Sequence, residues 1–253
     1  MTLKEKLRRG KPAIGTWLTL AHPALAEMAA RAGFDWVAVD LEHSSITTRE
    51  CEDLLRVLDL AGTTPLVRLT SNDPNQIKRA MDSGARGVIV PNVSTPAEAQ
   101  LAVDAVYYPP RGRRGVGLAR AHAYGADFAG ALRRLERETV VVAMIENAQG
   151  VENAEAILAT PGIDAYFLGP YDLSASLGLA GKTSHPKVEA AIAKVRAAGR
   201  RAGKPGGIHV VEPDPAALKA RLRQGFSFIA YSLETRIYDT TIRSALKAAR
   251  GKA

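Results

Sequence analysis

Eight short apolar runs recur along this 253-residue chain, and they constrain its fold more than any other feature. They fall at residues 14–20, 36–41, 65–69, 87–90, 140–145, 165–168, 207–211 and 227–231. Each is rich in Val and Ile and continuous rather than alternating with polar residues. That is the pattern of strands buried on both faces, and so of a parallel sheet. Parallel neighbours need crossover connections, and helix signals lie between the runs. Residues 24–32 end at Gly33, and residues 48–60 start at a Thr cap and stop before Gly62. Pro74 and Pro96 follow Asp73 and Thr95 as first-turn prolines, and further helices are expected at 186–201, 215–223 and 234–250. Eight strands alternating with helices predict an α/β chain that closes into a single-domain (β/α)₈ TIM barrel over residues 1–253.

Several classes of function are disfavoured. The longest apolar stretches, such as 140–145, are far too short to span a bilayer. Residues 1–12 are charged and carry no secretory apolar run. The single cysteine, Cys51, excludes an intrachain disulfide. A cytoplasmic location is expected, with no membrane partner. The net charge of +8 raises the question of nucleic acid. Residues 1–181, however, hold 19 Lys and Arg against 21 Asp and Glu, whereas residues 182–253 hold 15 against 5. That excess is spread over expected helices without interleaved aromatic residues, so it reads as a solvated face and no nucleic-acid partner is expected.

In a barrel of this kind, catalytic groups stand at the C-terminal ends of the strands. The residues that follow the runs are chemically loaded. The second run delivers Asp40, Glu42 and His43, the third ends at Arg68, the fifth delivers Glu146, and the sixth gives Gly169, Pro170, Tyr171 and Asp172. His209 lies within the seventh. A buried strand needs no carboxylate at its end for stability. Glu146 and Asp172, on adjacent strands, can share one divalent ion, because Mg²⁺ and Mn²⁺ favour carboxylate and water oxygens. Helix capping or an Arg partner is the alternative reading of Glu146. The guanidinium fork of Arg68 suits a carboxylate or a developing enolate oxygen, the alternative being a structural ion pair. His43, in acidic company, can work as a general base.

Other features carry less. The segment 169–174 turns from strand to helix and offers backbone N–H groups to a carboxylate, although Pro170 has none. GRRGVG at 112–117 matches neither dinucleotide nor Walker A spacing. Cys51, His22 and His185 read as structural or loop residues. Long connections at 107–128, which contains His122, and at 170–185 interrupt the rhythm, and such connections are usually functional.

Several strings together resemble the HpcH/HpaI aldolase family: VDLEH at 39–43, PLVR at 65–68, NDPNQIKRAMDSGARGVIVP at 72–91, YPPRGRRGVG at 108–117, MIEN at 144–147, FLGPYDLSASLG at 167–178 and SHPKV at 184–188. The resemblance runs in order over nearly the whole chain. It implies a (β/α)₈ barrel, a class II pyruvate aldolase of the 4-hydroxy-2-oxoheptanedioate aldolase type, and a hexamer built as a trimer of dimers. The helix at 234–250 is then expected at a subunit contact. The resemblance also implies that Glu146 and Asp172 ligate Mg²⁺, Mn²⁺ or Co²⁺ and that Arg68 stabilises the enolate. It pairs His43 with Asp40 or Asp82 in proton transfer through water. It puts Gly169 and Tyr171 where backbone binds the pyruvate carboxylate, and Trp17 at an aromatic position near the substrate. The chain departs from the type aldolase at Met144, where the latter has Gln, and in LARAHAYG after GVG, a stretch expected to shape the aldehyde pocket. Related branches cleave 2-keto-3-deoxy sugar acids or act on CoA esters of the citryl or malyl kind. A non-enzymatic or nucleic-acid-associated barrel is the reading from another class.

Overall fold

The computed structural model describes residues 1–251; Lys252 and Ala253, the end of the expected 1–253 domain, lie outside the described residues. Eight parallel strands close into a barrel in sequence order. They are β1 (Ala13–Leu18), β2 (Trp36–Asp40), β3 (Thr64–Arg68), β4 (Gly87–Val90), β5 (Val140–Ile145), β6 (Ala165–Leu168), β7 (Gly206–Val210) and β8 (Phe228–Leu233). β1 pairs with both β2 and β8, which is what closes the cylinder. All eight expected runs are therefore strands of one (β/α)₈ domain.

The helices surround and close the barrel: α1 (Leu3–Arg8), α2 (Pro23–Arg31), α3 (Thr48–Leu60), α4 (Pro74–Asp82), α5 (Pro96–Val106), α6 (Phe128–Glu138), α7 (Ala148–Glu152), α8 (Ala154–Ala159), α9 (Pro170–Ser176), α10 (Pro186–Arg201), α11 (Pro215–Arg223) and α12 (Glu234–Arg250). The starts follow from capping chemistry. Thr47 and Thr95 each close a capping box with the Glu three residues on, which satisfies two amide donors left free by the first turn. α4 and α5 open on the expected Pro. α1, α6, α7 and α8 were not foreseen, and the long connection 107–128 proves to join α5 to α6 rather than to lead directly to β5.

Two cores result from the period-two alternation of side chains along each strand. Val37, Val39, Val67, Val88, Val141 and Ile229 point outward under the helices. Trp36, Ala38, Leu66, Ile89, Val142, Phe167 and Phe228 fill the cylinder. The interior is packed by aromatic contacts, with Trp36 stacked on Phe228 at 4.5 Å between ring centroids. A Cβ at residue 15 would stand 2.1 Å from the Trp36 ring, so only Gly15 leaves room for that indole.

α1 closes the lower end, where the strands begin. Leu3 and Leu7 join the interior core. The Lys4 ammonium, only 1 % exposed, donates to the Thr139 carbonyl at 2.6 Å and to the Tyr107 hydroxyl at 3.1 Å, and pairs with Asp164 at 3.2 Å. Deleting one partner of a buried pair strands the other. Lys4→Ala is thus expected to lower unfolding free energy by about 3 kcal/mol, read from urea denaturation monitored by circular dichroism.

α12 differs from the other long helices. None of its residues is buried. Tyr238, Ile242 and Leu246, spaced by four, form an apolar stripe exposed at 69, 45 and 51 %. No helix of the described residues is long and apolar enough to cross a membrane.

Candidate functional site

The inward register that packs the barrel also builds the site. Continuing the interior positions by two residues toward the upper end leads from Ala38 to Asp40, from Leu66 to Arg68, from Met144 to Glu146 and from Phe167 to Gly169. Asp40 and Arg68 are register partners on β2 and β3. These groups meet at a cavity of about 930 Å³ in the mouth of the barrel, whose lining includes Trp17, Asp40, His43, Arg68, Asp172 and His209.

Asp40 and Arg68 form a two-point ion pair, with Nε donating to Oδ1 at 2.8 Å and Nη2 to Oδ2 at 2.5 Å. Asp40 is 1 % exposed. Its Oδ1 also accepts the backbone N–H groups of Glu42 at 3.0 Å and His43 at 3.3 Å, which shapes the turn after β2. The guanidinium lies over Trp17, 4.5 Å from the ring, and its Nη1 is 3.4 Å from Glu42 Oε2. Arg68 is thereby held in one orientation.

Glu146, 3 % exposed, accepts the Asn92 backbone N–H through Oε1 at 2.7 Å. Its other oxygen is free, and the position of a hypothetical Cβ on Gly169 locates it. Such an atom would stand 2.5 Å from Glu146 Oε2 and 3.4 Å from Asp172 Oδ2. The two carboxylates therefore converge on one point, which only glycine leaves open. Burial, reinforced by Glu42 and Asp172, pushes the Glu146 carboxyl up to about 7. Burial, reinforced by Asp40 and Asp172 against the opposing pull of Arg68, likewise raises Glu42 to about 7. Several carboxylates sharing one desolvated pocket are a donor set that suits a hard divalent cation. Among the described residues no group of three His, Cys, Asp or Glu side chains is disposed around one ion. Two carboxylates would leave most coordination positions for water and substrate oxygens.

The structure brings together Trp17, Asp40, His43, Arg68, Glu146, Gly169, Tyr171 and Asp172 at this end of the barrel. The His43 ring is 63 % exposed, and its Nε2 is 3.8 Å from Glu42 Oε2. Within one chain its acidic neighbour is therefore Glu42. The Asp40 carboxylate is occupied by Arg68 and by backbone donors.

Asp82 is elsewhere. It ends α4, and helices run antiparallel to the strands, so the C-terminal end of α4 lies at the lower end of the barrel. There it faces Arg114, His122 and Lys78, and burial raises its carboxyl pKa. The expected His43–Asp82 pairing is not formed within one chain. The segment 112–125 also belongs to this lower end. It borders a second cavity of about 490 Å³ beside Arg86 and Thr139, at the starts of β4 and β5. His122 is 1 % exposed and shares a hydrogen bond with the Tyr108 hydroxyl at 2.8 Å. The expectation that LARAHAYG shapes the aldehyde pocket is not met within one chain. Burial raises the Cys51 thiol to about 12, so that residue is inert. Sequence reasoning assigned no role to His209 or Asn92, and gave Glu42 none beyond its place beside His43.

The chain belongs to the HpcH/HpaI aldolase/citrate lyase family, whose model matches residues 13–239. It is 39 % identical over 250 residues to a hydroxypyruvate/pyruvate aldolase of Sagittula stellata, covering 98 % of this chain and 96 % of that one. It is also 39 % identical over 236 residues to a 4-hydroxy-2-oxo-heptane-1,7-dioate aldolase of Salmonella dublin, covering 92 % and 88 %. The fold superimposes with a TM-score of 0.93 on a crystal structure of a family member from Burkholderia cenocepacia, at 38 % identity and over 98 % and 99 % of the two chains.

Proposed function

We propose that this chain is a divalent-metal-dependent aldolase that reversibly cleaves a 4-hydroxy-2-oxo acid to pyruvate, or a substituted pyruvate, and an aldehyde. The observation that carries the reading is the convergence of Glu146 and Asp172 above Gly169, beside an Arg68 fixed by Asp40. The aldolases among its relatives support the same class of reaction. Glu146 and Asp172 would hold Mg²⁺, Mn²⁺ or Co²⁺, which would supply Lewis acidity toward the keto group.

The chain's own groups divide the remaining work. The backbone N–H groups of Gly169 and Tyr171 bind the substrate carboxylate, Pro170 having none to offer. Arg68 faces the keto oxygen. When the C3–C4 bond breaks, its electron pair passes to C3 and is delocalised onto that oxygen, where the guanidinium opposes the growing charge. The proton of the C4 hydroxyl leaves through water to His43, the aldehyde departs, and C3 then takes up a proton. Trp17 supplies the face against which Arg68 is stacked. Among the described residues no lysine lines the cavity, which fits this route better than a Schiff base.

The test is a coupled pyruvate-release assay over a panel of 4-hydroxy-2-oxo acids, with metal and with chelator. Metal-dependent release from at least one substrate is expected. Full activity in chelator with no retained metal would overturn the reading.

The exposed stripe on α12 supports a homo-oligomer, which we propose is a hexamer, a trimer of dimers, with α12 at a subunit contact. Light scattering at micromolar concentration is expected to give six times the chain mass, and Ile242→Glu with Leu246→Glu to give smaller species. A monomeric wild type would overturn it.

A further inference from the structure

Among the described residues other than glycine, Asn92, Ala123, Tyr124 and Ser232 have positive φ. Asn92 is the one that bonds to Glu146. It lies in the turn after β4, at φ +52°. Asparagine enters the left-handed region at modest cost, whereas a β-branched residue there is strained. The Asn92 side chain is exposed, so packing does not select this conformation. The hydrogen bonds of the turn do. Val93 donates its N–H to the Met144 carbonyl at 3.0 Å. Ser94 is pinned by Asn147 Nδ2, which donates to its hydroxyl at 2.7 Å, and by Asn153 Nδ2, which donates to its carbonyl at 2.8 Å. The Ser94 hydroxyl in turn donates to the Asn92 carbonyl at 3.1 Å. Along an extended strand successive N–H groups point to opposite sides. Here the N–H groups of Asn92 and Val93 both turn toward β5, and that of Asn92 reaches Glu146 Oε1 at 2.7 Å. Consecutive amides that converge on one side are what a left-handed residue in a turn produces.

The consequence falls on Glu146. Its Oε1 is engaged by the Asn92 amide, and its Oε2 is the oxygen that meets the point shared with Asp172 Oδ2. Without the amide, nothing among its hydrogen bonds would distinguish one carboxylate oxygen from the other. Groups that hydrogen-bond to a metal ligand set its orientation and tune the affinity of the site. We propose that Asn92 is a positioning residue for the cation: its left-handed backbone aims one N–H at Glu146 Oε1, which leaves Oε2 as the oxygen offered to the metal. The proposal rests on the metal-dependent aldolase reading above and adds to it a backbone conformation that the turn maintains for the site. A residue that resists positive φ would draw the amide away, and Glu146 would be free to meet the cation in more than one orientation.

The test is calorimetric titration with Mn²⁺ of metal-free wild type, Asn92→Gly, Asn92→Ala and Asn92→Val. Glycine lacks the side chain but accepts positive φ freely, so its Kd is expected to stay within about twofold of wild type. Asn92→Val is expected to bind Mn²⁺ about 10–100-fold more weakly, with Asn92→Ala between the two. At saturating Mn²⁺ the kcat of Asn92→Val is expected to recover most of the wild-type value, because the cation once bound holds Glu146 itself. A kcat that stays low at saturating metal would mark general damage to the fold and count against the proposal. Affinity unchanged in Asn92→Val would overturn it. So would an equal loss in Asn92→Gly, which would assign the effect to the side chain that Asn147 approaches at 3.5 Å. If Asn92→Val does not fold, Asn92→Ala against Asn92→Gly decides. Wild type that binds no Mn²⁺ would instead sink the metal-dependent reading, and the proposal with it.

Discussion

Glu146→Gln is expected to lower kcat/KM for aldol cleavage by about 10³-fold or more, a loss of about 4 kcal/mol of transition-state stabilisation. The substitution is nearly isosteric and keeps an oxygen that can accept the Asn92 N–H. What it removes is the charge aimed at the point above Gly169, where Asp172 also converges. Asp172→Asn is expected to behave alike. Calorimetric titration with Mn²⁺ should show binding lost or severely weakened in both. A second measurement, independent of turnover, follows from the raised Glu146 pKa of about 7. In chelator, the folded wild type binds more protons at this group than the unfolded chain does between the ordinary carboxyl range and pH 7. Stability from this source is thus present at low pH and is lost as pH rises through the folded value. The amide cannot ionise. Glu146→Gln should therefore melt several degrees above wild type at pH 8 in chelator, and the gap should close toward pH 5. A pH-independent gap would mean that burial beside Glu42 and Asp172 does not raise the Glu146 carboxyl, and wild-type-like turnover by the variant would remove it from the chemistry.

The barrel was legible because strands buried on both faces cannot alternate, so each left a continuous Val- and Ile-rich run. Capping threonines and first-turn prolines then marked α3, α4 and α5. α6 was missed because it opens on Asp127 without a proline, inside a stretch whose glycines and arginines read as loop. α7 and α8 were missed because each is a short helix of six residues or fewer. The site was legible as residue types at strand ends, since the inward register carries the interior column straight into Asp40, Arg68 and Glu146. Partners were less legible. Asp40 looked like the group that orients His43, whereas its register position opposite Arg68 gives it to the guanidinium. Asp82 could have been excluded within one chain by noting that a residue ending a crossover helix returns to the lower end. Trp17 was placed near the substrate by the family resemblance, but its edge-to-face contact with His209 was not legible, because it exists only once the cylinder closes and β8 brings β7 round to β1.

Arg68→Lys is expected to reduce kcat by about 10²–10³-fold while weakening Mn²⁺ binding far less. Lysine keeps the positive charge but cannot form the planar two-point contact with Asp40, nor lie flat on the Trp17 ring. Its ammonium would be a mobile point charge where the wild type holds a fixed fork. Asp40, buried at 1 % exposure, would lose two oriented donors and the turn carrying Glu42 and His43 would loosen. His43→Ala acts on a different step. Removing a proton-transfer group costs about 10²–10⁴-fold, so the two losses overlap and rates alone do not separate the roles. The pH profile of kcat/KM does. Arg68→Lys should keep the same ionisation as wild type, displaced in height only. His43→Ala should lose that ionisation, because the exposed ring, next to Glu42 and open to water, is the group assigned to carry the proton. If His43→Ala keeps the profile unchanged, the proton is carried by another group at the site. Glu42, raised to about 7 by its burial, is then the group to replace with Gln.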